Sequence, residues 1–511
     1  MSGYGEWAVD VETERTFGRQ IAALAAEHPD KPALIFAATA GFEMAVSWWE
    51  YEKATNRLAR YLIDRGVTAG SMVVIGLWNS VEHVVLTTAA WKLGALVLPL
   101  RAALPAHERD QILALAQPAL VCAEWDDIDW PTMSRSETIL TYAYDDQPLD
   151  IDPPHPGKAI ASGGSTGRSK IITDPTWNPV EYSARGSKLG ARHGSVQLLA
   201  APLYHNSPFL SAYGGLADDH VLVIMERFDA DRALDLIEKY KVNYAYMPPI
   251  ILRRIYLRPG IAERDLSSIE GIQSSAAPCP EWLKRAWIDL IGAEKVYEVY
   301  GSTEGIGATI IRGDEWLAHP GSVGRSSGSE IRIQDADGNA LLPGEVGEIF
   351  MRPASGEVTY RYIGAEPKST ADGFQSVGDL GWLDDDGYLY IADRRTDLII
   401  TGGANVYPAE VEAVLGTHPL VDDVAVIGVP DEDWGRRVHA VVQPRDPASP
   451  PTPEALDQHA RNDLTSYKVP KTYEFLPALP RNEAGKIRRS DLVRERESGW
   501  TSAMVRPKRG E

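Results

Sequence analysis

The chain has 511 residues, too long for one ordinary hydrophobic core, so several packed units are expected. A hydrophobic share of 44% excludes wholesale disorder, and a net charge of −21 argues against a nucleic-acid partner, because so acidic a surface repels a phosphate backbone. The two cysteines, Cys122 and Cys279, lie far apart and match neither a disulfide framework nor a metal-ligand spacing.

Met1 to Trp7 shows no basic stretch followed by an apolar one, so no signal peptide is read. No apolar run approaches the ~20 residues needed to span a bilayer, and a cytoplasmic location is expected. Met72–Trp78 reads as a buried strand, Val81–Leu93 as a helix and Ala95–Leu100 as a strand. Ala106–Ala116 follows as a helix and Ala119–Ala123 as a strand holding Cys122. This βαβαβ pattern predicts parallel sheet. It recurs in Leu198–Ala201, Val221–Met225, the helix Ala230–Tyr240 and the strand Asn243–Met247. After about residue 320 short strands (330–335, 347–351, 387–391) bounded by Asp-Gly turns suggest a smaller β-rich part. The last hundred or so residues read as an α+β unit: a helix 408–416, strands 424–428 and 438–442, and a Pro-rich surface loop 444–453.

Five segments could carry chemistry. Ala161–Lys170, rich in Gly, Ser and Thr, could offer backbone N–H groups and hydroxyls to a polyphosphate, with Lys170 adding charge. It is not a Walker A loop, since Arg168 follows Gly167. Val299–Gly305 combines an aromatic, two hydroxyls and a carboxylate, a set able to stack a base and hold Mg²⁺. Asp379 with Arg394 could hold a ribose, although such pairs are more often solvated surface charge. Ile400–Glu410 is a glycine turn leading into a helix with Pro408 near its start. Leu479–Arg489 is a basic loop centred on Gly485-Lys486. Each signal alone is weak, and a flexible loop or a charged tail is the plainer reading of several.

In this order, over more than 300 residues, the five segments closely resemble the superfamily of adenylate-forming enzymes: acyl-CoA synthetases, adenylation domains of peptide synthetases, and firefly luciferase. The resemblance runs from about Thr16 to Asp491 and includes Ala201–Asn206 and Met247–Ile250. It implies an α/β fold, with a large N-terminal domain of doubly wound, mostly parallel sheets plus a β-rich subdomain. A small mobile α+β C-terminal domain would follow. The implied domains are 1–395 and 396–511, with a hinge near Thr396, where the family usually has Lys or Asp.

By the same resemblance Ser165, Thr166, Gly167 and Lys170 fall on the phosphate loop. Tyr300 falls where an aromatic packs on adenine, beside Gly301. Thr303 and Glu304 fall on positions contacting the α-phosphate and Mg²⁺, and Asp379 and Arg394 on the ribose ligands. Lys486 falls on the lysine that bridges the substrate carboxylate and the α-phosphate. Tyr204, His205 and Asn206, with Ser275 and Ala276, border the acyl and pantetheine pocket. Gly402 and Gly403 fall on the turn that approaches the pantetheine. ATP/AMP, Mg²⁺ and coenzyme A are the implied cofactors, and the C-terminal domain is expected to rotate between two half-reactions.

The chain departs from the family at Ser169, where Pro or a small apolar residue is usual, at Ile171, and at Ser275-Ala-Ala-Pro278. Proline would fix φ near −65° and stiffen the phosphate loop. The Ala-Ala-Pro-Cys-Pro run resembles the bile-acid and steroid-side-chain branch, which implies a bulky apolar acid. A terpenoid acid of the platensimycin type is one such expectation. The leading expectation is therefore an acyl-CoA ligase working through an acyl-adenylate. The alternatives are a ligase that only thioesterifies a supplied adenylate, and one that loads a carrier protein. A luciferase-like oxidative enzyme and a non-catalytic scaffold fit less well. A homo-oligomer is left open.

Overall fold

The βαβαβ pattern from Met72 to Ala123 folds as parallel sheet, for the reason its apolar runs suggested. All five residues of the strand Met72–Gly76 are buried, and it pairs in parallel with Leu96–Pro99 on one side and Leu120–Ala123 on the other. A strand covered on both faces has no polar side to show, so its sequence is continuously apolar. The computed structural model describes residues 16–151, 153, 157–163, 169–183, 189–431, 433–482, 485–487, 489–496 and 504–507. The expected phosphate-loop residues Ser165, Thr166 and Gly167 lie outside the described residues.

Two large sheets build the N-terminal part. The larger carries six parallel strands in the spatial order Pro32–Ala37, Val221–Met225, Val196–Leu199, Tyr244–Tyr246, Gly271–Ser274, Val296–Gly301. Beyond Val296–Gly301 the sheet turns antiparallel through Ala308–Arg312 and Ser322–Ser326 into the β-rich part, which includes Gly347–Pro353, Asp379–Leu383 and Leu389–Arg394. The second sheet adds Lys158–Gly163 and Ser169–Asp174 to the βαβαβ strands. Helices such as Ala230–Tyr240 cover the sheets. Asp229 caps that helix by accepting from the Arg232 N–H, Leu234 and Ile237 face inward, and Lys241 ends it at φ 50°.

The C-terminal sheet is built on a long hairpin, Val421–Asp431 with Gly435–Pro444, joined in parallel by Thr472–Phe475. Apolar patterning marks only its middle, because the hairpin's ends are rich in Asp, Arg and Gly. The helices Pro408–Leu415 and Pro453–Asp463 pack on it around Val411, Val426, Val438, Leu456 and Tyr473. Contacts among the described residues that fasten this unit to the rest include these. Arg253 donates to the Asp422 carbonyl at 2.7 Å, the Ala409 N–H donates to Asp393 at 2.8 Å, and Gly485 packs against Ile250. No helix among the described residues is long and apolar enough to cross a membrane.

Gly324, in the strand Ser322–Ser326, has φ +97°, and a Cβ there would sit 2.1 Å from the Ile310 carbonyl oxygen. Neither the left-handed backbone nor the close approach tolerates a side chain, so Gly324→Ala is expected to cost about 2–4 kcal/mol. The check is the denaturant midpoint of the purified variant, which should fall while the folded spectrum is retained.

Candidate adenylate-binding site

Four of the parallel strands end on the same edge of the larger sheet, side by side. Beyond Val196–Leu199 comes the segment with Tyr204, His205 and Asn206. Beyond Tyr244–Tyr246 come Met247 and Ile250. Beyond Gly271–Ser274 come Ser275 and Ala276, and Val296–Gly301 ends on Tyr300 and Gly301 with Thr303 and Glu304 just past it. The carboxyl edge of a parallel sheet is where open α/β folds bind ligands, since the loops leave a crevice there.

The β-rich part supplies the next group. Asp379 and Arg394 face each other in register on adjacent antiparallel strands. The Arg394 Nε–H donates to Asp379 Oδ1 at 3.0 Å, and the Tyr300 hydroxyl donates to Asp379 Oδ2 at 2.9 Å. Asp379 is thus buried and oriented from two sides, while the Arg394 side chain keeps 61% of its surface exposed.

Lys170 and Glu304 meet between the two sheets. The Lys170 ammonium lies 3.3 Å from Glu304 Oε1, and Tyr362 donates its hydroxyl to the same oxygen at 2.6 Å. The ammonium also sits 4.0 Å from the centre of the Tyr362 ring. Burial by itself would raise the Glu304 pKa. The Tyr362 hydrogen bond and the Lys170 charge outweigh it and hold the carboxyl below its ordinary value. Glu304 is therefore an anion at neutral pH, and no group of three or more His, Cys, Asp or Glu side chains suited to a metal accompanies it among the described residues. A single ionised carboxylate fits Mg²⁺, which binds through one or two carboxylates and takes its other ligands from phosphate and water.

His205 precedes the helix Asn206–Ala217, and its Nε2 is buried with no hydrogen-bond partner among the described residues. Burial first, then the charges of Lys486 and Arg101, push its pKa down to about 3, so the imidazole is neutral. The Tyr204 ring leans against it at 4.2 Å between centroids. Lys486 reaches this place from the C-terminal unit. Its N–H donates to Asn482 Oδ1 at 2.9 Å, which closes the loop around Gly485. The lysine keeps exposed surface, yet it stands in a cleft that depresses its ammonium pKa. Burial is the largest cause and Arg394 adds to it, while Asp379 and Glu304 draw it back up. Lys486 thus lies within electrostatic reach of Arg394, Asp379, Glu304 and His205.

The Ser275 hydroxyl lies within hydrogen-bond distance of the Ser207 and Tyr246 hydroxyls, 3.2 Å from each, donating to one and accepting from the other. Ala276 stands at φ +77°, a region costly for a residue with a Cβ. Ala276→Gly is expected to stabilise the protein by about 1 kcal/mol, read as a raised unfolding midpoint. The atoms nearest a Cβ built at Gly402 all belong to Trp434, and among the described residues nothing lies within 4 Å of one at Gly403. Cys122 is a buried strand residue as expected, and Cys279 packs at the edge of the core.

Sequence reasoning missed Tyr362, Ser207, Tyr246 and Lys158. The first three carry no motif and are visible only through their partners. Lys158 carries a signal: a lone cation opening the otherwise uncharged strand Lys158–Gly163.

Family models match the chain over both parts: AMP-binding enzyme at residues 21–361, and AMP-binding enzyme C-terminal domain at 410–486. The chain belongs to the AMP-binding enzyme family. As a member of it, the chain is an ATP-dependent, AMP-forming ligase, and ATP, AMP, Mg²⁺ and coenzyme A are the cofactors of its class. Among its relatives in the AMP-binding enzyme family is a 2-succinylbenzoate–CoA ligase of Bacillus licheniformis, 31% identical over 87% of this chain and 92% of that one. Another is a fatty acid–[acyl-carrier-protein] ligase of Streptomyces coeruleorubidus, 28% identical over 90% of this chain and 93% of that one. Among solved structures, o-succinylbenzoate CoA synthetase from Bacillus subtilis in complex with its acyl-adenylate intermediate superposes with a TM-score of 0.80. It is 27% identical and covers 93% of this chain and 97% of that one.

Proposed function

We propose that this enzyme converts a carboxylic acid and ATP to an acyl-adenylate and pyrophosphate, then passes the acyl group to the thiol of coenzyme A with release of AMP. The observation that carries the reading is the gathering, at the carboxyl edge of the sheet, of the Tyr300–Asp379–Arg394 and Lys170–Glu304–Tyr362 groups, with the Lys486 charge in electrostatic reach of both.

In the first step a carboxylate oxygen attacks the α-phosphorus, and the bond from that phosphorus to the bridging oxygen breaks. Both reactants are anionic, so the work of the site is to offset their repulsion. Lys486 bridges the carboxylate and the α-phosphate. Thr303 donates to the α-phosphate, and Lys170 with residues 165–167 receives the departing pyrophosphate. Glu304 would hold Mg²⁺, which when bound would supply charge neutralisation at the phosphate oxygens. Asp379 accepts from the ribose hydroxyls, held in place by Tyr300 and Arg394. Neutral His205, with Tyr204, Asn206, Ser275 and Ala276, borders the acyl group. In the second step the unit from residue 396 onward turns about Thr396, withdraws Lys486 and brings Gly402 and Gly403 to the pantetheine.

The branch resemblance at Ala276–Pro280 supports a bulky, largely apolar acid, of steroid-side-chain or terpenoid type. A second reading rests on Ser169. It pairs in the ladder with Gly163 at the mouth of the phosphate loop, where a proline would stiffen the turn. On that reading the enzyme takes a supplied adenylate and performs only the thioesterification. One assay set separates the two: pyrophosphate release from ATP with a panel of carboxylic acids, and thioester formation from synthetic adenylates with coenzyme A or a carrier protein, followed by mass spectrometry. Release without any thiol supports the complete reaction. Thioester from the synthetic adenylate with no pyrophosphate release supports the second reading, and thioester on the carrier protein alone reassigns the acceptor.

A further inference from the structure

Lys158 opens a strand whose other residues are uncharged, and it is almost wholly buried. Its ammonium donates to Asn206 Oδ1 at 2.9 Å and to the Thr303 carbonyl oxygen at 3.3 Å. Both acceptors are neutral. The charges that act on it most, Asp174 and Glu304, stand outside ion-pair distance among the described residues and serve other groups. Asp174 accepts from the Thr176 N–H and hydroxyl. Glu304 accepts from Tyr362 and Lys170. A buried ammonium without an ion-pair partner is costly, and burial pulls its pKa down to about 8 against the pull of those two carboxylates. A third N–H of the ammonium has no partner in these contacts.

The place where this charge is held decides its meaning. It lies directly behind the turn carrying Thr303 and beside Asn206, so it borders the floor of the site assigned above. We propose that Lys158 is a positioning residue that supplies the fixed positive charge complementary to the 5′-phosphate of the bound adenylate, while fastening the Thr303 turn to the start of the helix Asn206–Ala217. This rests on the adenylate reading of the site. It adds a charge, contributed by the second sheet, that discriminates a nucleotide from a nucleoside.

The test uses the full chain and calorimetric titration with three probes: AMP, adenosine and the uncharged adenosine 5′-sulfamate. A unit charge complementary to the phosphate in a medium of effective dielectric ~20 predicts that Lys158→Met weakens AMP by roughly tenfold or more and leaves the two uncharged probes within about twofold. Lys158→Arg retains the charge and is expected to keep the AMP-to-adenosine ratio within about threefold of the parent. Equal loss of all three probes in a folded Lys158→Met protein would make the lysine a mere stitch and overturn the proposal, as would an unchanged ratio. If Lys158→Met fails to fold, Lys158→Arg decides: a folded Arg variant that loses the ratio sinks the idea, and one that keeps it supports it. Failure of the parent to bind AMP at all counts against the adenylate reading itself and is distinguishable from every other outcome.

Discussion

Lys486→Met is expected to lower adenylate formation by about 10³-fold, the scale of removing ~4 kcal/mol of preorganised charge stabilisation from a step between two anions. Thioester formation from a synthetic adenylate is expected to stay within about threefold of the parent, because the acyl–phosphate bond is then already made. Two of its neighbours do not replace the lost charge. His205 is held neutral, with its pKa near 3, and Arg394 is bound to Asp379. The measurement is paired: acid-dependent pyrophosphate exchange for the first step, and thioester yield from the supplied adenylate for the second. Equal loss in both would show that Lys486 serves binding of the adenylate as a whole, and no loss in either would remove it from the mechanism.

Gly402→Val is the complementary variant, with the opposite pattern. Gly402 has φ +55°, where a β-branched residue is a genuine outlier, and a Cβ there would lie 2.6 Å from the Trp434 ring. The hairpin turn between Ile399–Thr401 and Ala404–Val406 must then change shape. Thioester formation from supplied adenylate is expected to fall by about 10²-fold, with pyrophosphate exchange within about threefold, since misplacing a substrate-positioning group by about 1 Å costs that much. Loss of both activities together would point to a folding defect in the C-terminal unit, and its unfolding midpoint would report it.

The asymmetry between these two variants follows from what the structure brings together. Lys486 and the glycine turn belong to the same C-terminal unit, yet only Lys486 meets the Asp379 group. The turn instead packs against Trp434, and the Gly402 N–H donates to the Trp434 carbonyl at 3.0 Å. If the C-terminal unit moves as one body, presenting one of them at the site withdraws the other, and on that ground the two half-reactions are expected to respond separately to mutation.

Much of this was legible along the chain. Apolar runs without polar alternation mark strands buried on both faces, so the parallel sheets and the bounds of helices such as Ala106–Ala116 and Ala230–Tyr240 follow from local pattern. The motif order and the family resemblance it carries single out Tyr300, Glu304, Asp379, Arg394 and Lys486 as candidates. What local pattern could not supply is strand order. Nothing in the segments near residues 199, 246, 274 and 301 says that their strands lie next to one another, and that adjacency is what places His205, Ile250, Ser275 and Tyr300 on one edge. Tyr362 joins Glu304 across 58 positions and Lys158 joins Thr303 across 145, through contacts that leave no periodicity in the sequence. Hydrogen bonds between distant residues depend on the packing of whole sheets rather than on neighbours along the chain. Local composition therefore determined the strands, the helices and the chemical parts of this protein. Only the tertiary packing decided which charges face one another, and that Lys158 is left buried without a counter-ion among the described residues.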